Sequence, residues 1–251
     1  MVRLAASVCA WLAIADAVSA QTLDEIVAKA IAARGGYEKL EAVQTERMRG
    51  QMTLGPGMGG PVVIELKRPD KLHMEITLQP DKILTRGYDG VTGWQANPFV
   101  AGAAAQPLSP GDTRNIAKEA DIDGPLVNAA RKGNRIELAG REPVSGHDAY
   151  HLKVTLKDGT VDNYYLDATS FLETKWTGAR AQNGTEVVYE SYFSDFRPAG
   201  GLTFPFRIES DTQGREGKQE LRFDTVELDA PLDDALFTMP PAGPAARPAI
   251  H

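Results

Sequence analysis

Two hydrophobic periods divide this chain. Over residues 22–34, Leu23, Ile26, Val27, Ala30 and Ile31 recur at the spacing of one buried helix face. Thr22, with Glu25 three residues on, forms a capping box, and Gly35-Gly36 ends the helix. From residue 44 the period drops to two. Met48, Met52 and Leu54 alternate with Arg47, Arg49, Gln51 and Thr53. Val62, Ile64 and Leu66 alternate with Glu65 and Lys67, and Leu72, Met74, Ile76 and Leu78 with Lys71, His73, Glu75 and Gln79. Such alternation predicts antiparallel strands with one face buried and the other wet. The glycine-rich stretch 55–60 and the Pro-Asp pairs at Pro69 and Pro80 supply tight links between them.

A further hairpin is predicted over residues 82–97 about Asp89-Gly90, a dipeptide that accepts positive φ. Between residues 98 and 133 the alternation stops. Asp112 is placed to cap a helix over 113–120, and a second short helix is predicted over 125–131. Strands resume at 135–138, 149–157, 161–167, 171–178, 185–195, 202–210 and 218–228, with Asp158-Gly159 and Asn183-Gly184 at hairpin turns. Tyr150, Leu152, Val154 and Leu156 take the inward parity of one of these strands. The sum is eleven or twelve antiparallel strands, a leading helix and a helical excursion, all in one domain over 21–239. The Pro- and Ala-rich tail, 240–251, has neither period nor apolar bulk and is expected to be disordered.

The first twenty residues stand apart. Arg3, an apolar stretch over 4–15 and Val18-Ser19-Ala20 have the layout of a secretory leader cleaved after Ala20, which predicts a periplasmic mature protein. Asp16 interrupts the stretch, which falls short of the roughly 20 apolar residues of a membrane span. The sole cysteine, Cys9, lies inside this leader, so disulfides, thiolate metal sites and cysteine nucleophiles are excluded from the mature chain. Across 251 residues, 27 Lys+Arg stand against 34 Asp+Glu, a formal charge of -7 that excludes the basic footprint of nucleic-acid binding.

Catalytic constellations are absent from the sequence. His73 and His151 occupy the polar parity of their strands, His147 sits in a turn, and His251 is terminal; all four are expected to be solvated. No zinc helix, nucleophile elbow or phosphate loop is present. The carboxylate pairs Asp121/Asp123 and Asp233/Asp234 fall in turns as caps or solvated groups. Asn183-Gly184-Thr185 matches a glycosylation acceptor and equally an ordinary hairpin turn. No catalytic residue, metal site or cofactor is expected.

Several short stretches carry a resemblance: residues 33–40 (ARGGYEKL), 88–94 (YDGVTGW), 123–126 (DGPL), 193–197 (FSDFR) followed by Pro205, and 226–240 (VELDAPLDDALFTMP). Together they resemble the bacterial outer-membrane lipoprotein-sorting family, the group around the periplasmic carrier LolA and its receptor LolB. The resemblance covers about residues 22–240, and its motifs are mostly turns and packing residues. It implies a mainly β (α+β) fold, a twisted, half-open antiparallel barrel covered by the N-terminal helix and by a helical lid over 98–133. It also implies a non-catalytic carrier that holds lipid or lipoprotein acyl chains without a cofactor, as a monomer, with envelope membrane proteins as further partners. A different reading of the same fold is an envelope sensor or protein-interaction module.

On the carrier reading the apolar cavity is lined by Met48, Met52, Ile64, Met74, Ile76, Trp94, Ile116, Leu126 and Leu152, with Ile122 and Val127 under the lid. Methionine suits a surface that adapts to flexible chains. The same inward alternation equally describes plain core filling.

Overall fold

The computed structural model describes residues 21–100, 104–182, 185–214 and 217–241. The expected leader with Cys9, the Asn183-Gly184 turn, His251 and the tail from residue 242 lie outside the described residues. Helices α1 (Leu23–Ala33) and α2 (Tyr37–Ala42) lead into β1 (Thr45–Gly55), β2 (Met58–Lys67), β3 (Lys71–Gln79), β4 (Lys82–Tyr88), β5 (Gly93–Ala96) and the two-residue β6 (Gln106–Pro107). Helices α3 (Pro110–Glu119) and α4 (Ala129–Lys132) follow. The chain then runs through β7 (Arg135–Val144), β8 (His147–Thr155), β9 (Val161–Asp167), β10 (Glu173–Gln182), β11 (Thr185–Ala199), β12 (Leu202–Thr212) and β13 (Gln219–Leu228).

All thirteen strands form one sheet in the order β6-β5-β4-β3-β2-β1-β13-β12-β11-β10-β9-β8-β7, antiparallel throughout. Two meanders are thus sewn together where the first strand meets the last. The thirteen strands among the described residues exceed the eleven or twelve expected because the two-residue β6 is too short to show a period; β7, expected over 135–138, runs on to Val144 through a bulge between Leu138 and Gly140 that breaks its alternation. The helices also start elsewhere than expected. Ser109 caps α3, its hydroxyl accepting from the Asp112 amide at 3.1 Å with Pro110 in the first turn, and the second helix shrinks to four residues after Asn128.

The Thr22 box at α1 forms as read: Thr22 Oγ1 accepts from the Glu25 amide, and Glu25 Oε2 from the Thr22 amide. Helix α1 lays Ile26 and Ala30 onto Tyr150, Leu152, Val154, Tyr164 and Leu166 of β8 and β9. Helix α3 buries Ile116 in a larger cluster built from β1 to β4, β12 and β13. It packs against β3, β4, β5 and also β10. Six strand spacings of about 4.8 Å would hold β3 and β10 some 29 Å apart in a flat sheet, whereas a ten-residue helix is about 15 Å long. The sheet therefore curls around α3, giving a half-barrel whose concave side is largely apolar.

The convex side is not wet everywhere, which corrects one expectation. Beyond β13 the chain turns back across β1 to β5 and buries Leu232 and Phe237. Thr45 Oγ1 donates to the Ala230 carbonyl at 2.6 Å, Lys67 Nζ to the Leu232 carbonyl at 2.8 Å, and Trp94 Nε1 to the Phe237 carbonyl at 2.8 Å. His73, expected to be solvated, is only 4% exposed beneath this strap, with Nδ1 at 3.2 Å from Glu65 Oε2. His151 is half-buried, stacked on Tyr165 and hydrogen-bonded to Asn163. A strand's polar parity says which face a side chain takes, and a covering segment from far along the chain decides whether that face meets water.

Candidate functional site

The expected cavity residues lie between the concave sheet and the helices, apart from Trp94. Cross-strand register builds its floor. Val226, Met48, Ile64 and Met74 stand side by side across β13, β1, β2 and β3, and Val62, Ile76 and Leu84 form the next row. Ile116 and Ile122 close over them from α3 and the loop after it. Six expected cavity residues, Met48, Met52, Ile64, Met74, Ile76 and Ile116, thus share one cluster. Leu126 and Leu152 belong to the second cluster, under α1.

Trp94 joins neither. It pairs with Gly87 on β4, and its indole lies 6.3 Å from the His73 ring on the convex face. A Cβ at position 87 would lie within 2.5 Å of the indole, so only glycine admits this packing. The expectation that Trp94 lines the cavity is therefore corrected: β5 presents Gly93 to the interior and Trp94 to the strap.

Charged groups sit at the seam between the clusters, and the sequence reading missed them as a set. Arg68, just past β2, reaches Asp123 with a two-pronged contact, Nη2 to Oδ1 at 2.6 Å and Nη1 to Oδ2 at 2.9 Å, and also donates to the Val43 and Leu40 carbonyls. Arg34, at the end of α1, donates to the Asp123 carbonyl at 2.6 Å. Lys132 of α4 binds Asp121 at 2.6 Å and the Gly124 carbonyl at 2.8 Å. Three cations from three elements thereby fasten the loop 121–124. Burial opposes ionisation of Asp123, but Arg68 outweighs it and holds the pKa below the ordinary carboxylate range.

Two carboxyls flank this network. Glu46 on β1 takes the inward parity of Met48 and is 4% exposed, and its Oε1 finds no hydrogen-bond donor among the described residues. Burial pushes its pKa to about 7, against the pull of Arg34 and Arg68. Glu173, at the start of β10, is pushed by burial to about 8, against Arg34 and with help from Asp162. Farther along the interior, Arg180 grips the buried Asp162 at 2.8 Å and 3.0 Å. Glu46 was open to discovery in the sequence as a charge on an apolar parity; Arg68 and Asp123 carried no local signal of their partnership.

A cavity of about 50 Å³ lies at this seam, lined by Ala30, Ile31, Arg34, loop 123–127, Leu166, Phe171 and Glu173. Small-molecule sites usually offer roughly 300–1,000 Å³. The cavity is therefore smaller than such sites as it stands. Among the described residues no group of three or more His, Cys, Asp or Glu side chains is arranged to hold a metal ion.

No protein-family model matches this sequence, and no curated protein matches it. Solved structures do. A LolA superfamily protein from Nitrosomonas europaea superposes with a TM-score of 0.57 at 18% identity, covering 87% of this chain and 98% of that one. A DUF1329 family protein from Desulfovibrio piger gives 0.57 at 14%, covering 86% and 96%. An outer-membrane lipoprotein-sorting protein domain from Vibrio parahaemolyticus gives 0.54 at 15%, covering 85% and 94%. At such identities the likeness is one of fold, and it extends over nearly the whole length of each partner: this chain shares the LolA-like half-barrel fold.

Proposed function

We propose that this protein is a non-catalytic carrier of the bacterial envelope that holds lipid or lipoprotein acyl chains between its concave sheet and its helices. The observation that carries this reading is the way the half-barrel is closed. Its apolar floor is covered by α3 and the loop after it, and the charged side chains Arg34, Arg68 and Lys132 tie that loop to the rest rather than strand pairing. Such contacts break and reform without unfolding the sheet, as a carrier's lid must. Methionines 48, 52 and 74 on the floor adapt to flexible chains. The names of the LolA-like structural relatives and the leader-like first twenty residues support a periplasmic setting.

Uptake of a fluorescent fatty-acid probe tests the reading. The native protein is expected to bind it. Met74→Glu and Ile76→Glu, each burying a charge on the floor, are expected to abolish binding while Lys153→Glu on the convex face leaves it unchanged. A folded Met74→Glu protein that still takes up the probe contradicts the assignment of the floor.

A further inference from the structure

The seam cavity has a polar end that an acyl chain alone does not need. We propose that it is a head-group subsite for a single-chain amphiphile bearing a carboxylate, with Arg34 and Glu173 holding the head and the tail lying between the two apolar clusters. The inference rests on the carrier reading and adds the ligand's chemical class to it. Ile31 and Val127 on one side of the cavity pack with the larger cluster, and Leu126, Leu166 and Phe171 on the other with the smaller. The cavity thus lies where the two apolar clusters meet, and a tail anchored here would part them.

The charges around the cavity favour an anion. Asp123 spends its charge on the Arg68 fork. Arg34 donates to a neutral carbonyl and makes no ion pair with a carboxylate among the described residues. Its guanidinium acts on Asp123, Glu46 and Glu173 from beyond ion-pair distance, so in the wall of a partly buried cavity it is left free to pair directly with an anionic head. Lys29 adds positive charge nearby, its Nζ 4.9 Å over the Phe171 ring. Glu173 does not oppose this: burial raises its pKa to about 8, so below that pH it carries a proton and donates a hydrogen bond to a carboxylate. Glu46, held at about 7 behind Arg34, is likewise largely uncharged in mildly acidic solution. About 50 Å³ holds a few water-sized groups, enough for a carboxylate head.

The test is displacement of the fluorescent probe from the full-length protein by dodecanoate, dodecan-1-ol and dodecyl phosphate at about pH 6.5 and about pH 9. Dodecanoate is expected to bind at least about tenfold more tightly than the alcohol at the lower pH, a difference of roughly 1.4 kcal/mol. The advantage is expected to shrink at the higher pH as Glu173 ionises and repels the head, and Glu173→Gln to keep the advantage at both. Equal binding of acid and alcohol at both pH values in the native protein overturns the subsite and leaves the carrier reading intact. Dodecyl phosphate binding as tightly as dodecanoate overturns the carboxylate assignment. Failure of the probe itself to bind overturns the carrier reading and this inference with it. Arg34→Gln is expected to erase the acid's advantage; if that variant does not fold, the Glu173→Gln pH profile decides.

Discussion

Arg68 and Asp123 meet fork to fork across 55 positions of sequence, Nη2 to Oδ1 at 2.6 Å and Nη1 to Oδ2 at 2.9 Å, with the carboxylate only 3% exposed. Bidentate, charge-assisted contacts of this kind are the strong ones, and they leave a costly orphan when one side is removed. Asp123→Ala is expected to destabilise the protein by about 3–5 kcal/mol in urea unfolding, because Arg68 loses its counter-charge. Arg68→Met combined with Asp123→Ala is expected to cost less than Asp123→Ala alone. A double variant as unstable as the sum of the two single ones contradicts the pairing.

The stability of the fold depends on pH through groups with opposite signs. Glu46 and Glu173 have folded pKa values of about 7 and about 8, raised above the ordinary 4.5. Protonation therefore favours the folded state, and this contribution is complete below about pH 4.5 and is lost as pH rises through 7 and 8. Asp123 works the other way: its lowered pKa gives stability above the ordinary carboxylate value that is lost on acidification. Stability should thus fall from about pH 5.5 to pH 9. Glu46→Gln, which also keeps a neutral group in this place, is expected to flatten that slope, measured by urea unfolding at each pH. A slope unchanged by both Glu46→Gln and Glu173→Gln contradicts the assignment.

The strap lies over the convex face, opposite the apolar floor. Phe237 is fully buried and its carbonyl accepts from the Trp94 indole. Phe237→Ala is expected to cost about 3–5 kcal/mol and, with Trp11 and Trp176 both replaced by Phe, to shift Trp94 fluorescence to the red as water reaches the indole. Probe affinity is expected to stay within about twofold in the folded fraction. A large loss of affinity would place Trp94 and the strap in the binding path, against their position on the far face.

Much of the fold was legible because its periods are local. Alternation in Val62 to Leu66 and Leu72 to Leu78 gave strands whose inward residues do share one core, and Asp89 does turn the β4–β5 hairpin, accepting from the Val91 and Thr92 amides. The covering of the sheet was not local. Nothing near His73 or Trp94 in sequence announces that residues 230–237 will lie over them, so one was expected in water and the other in the cavity. The same holds for the seam, where Arg34, Glu46, Arg68, Asp123 and Glu173 come from five separate segments. Only Glu46, a carboxylate on an apolar parity, broke a local rule that could be read beforehand.

The central claim is that the half-barrel holds an acyl chain, and native mass spectrometry of the protein purified from its own cell envelope, with extraction of whatever travels with it, tests that most directly. A stoichiometric acylated species that organic extraction removes and a fatty-acid probe replaces is expected. Ligand-free protein that also takes up no probe would contradict it.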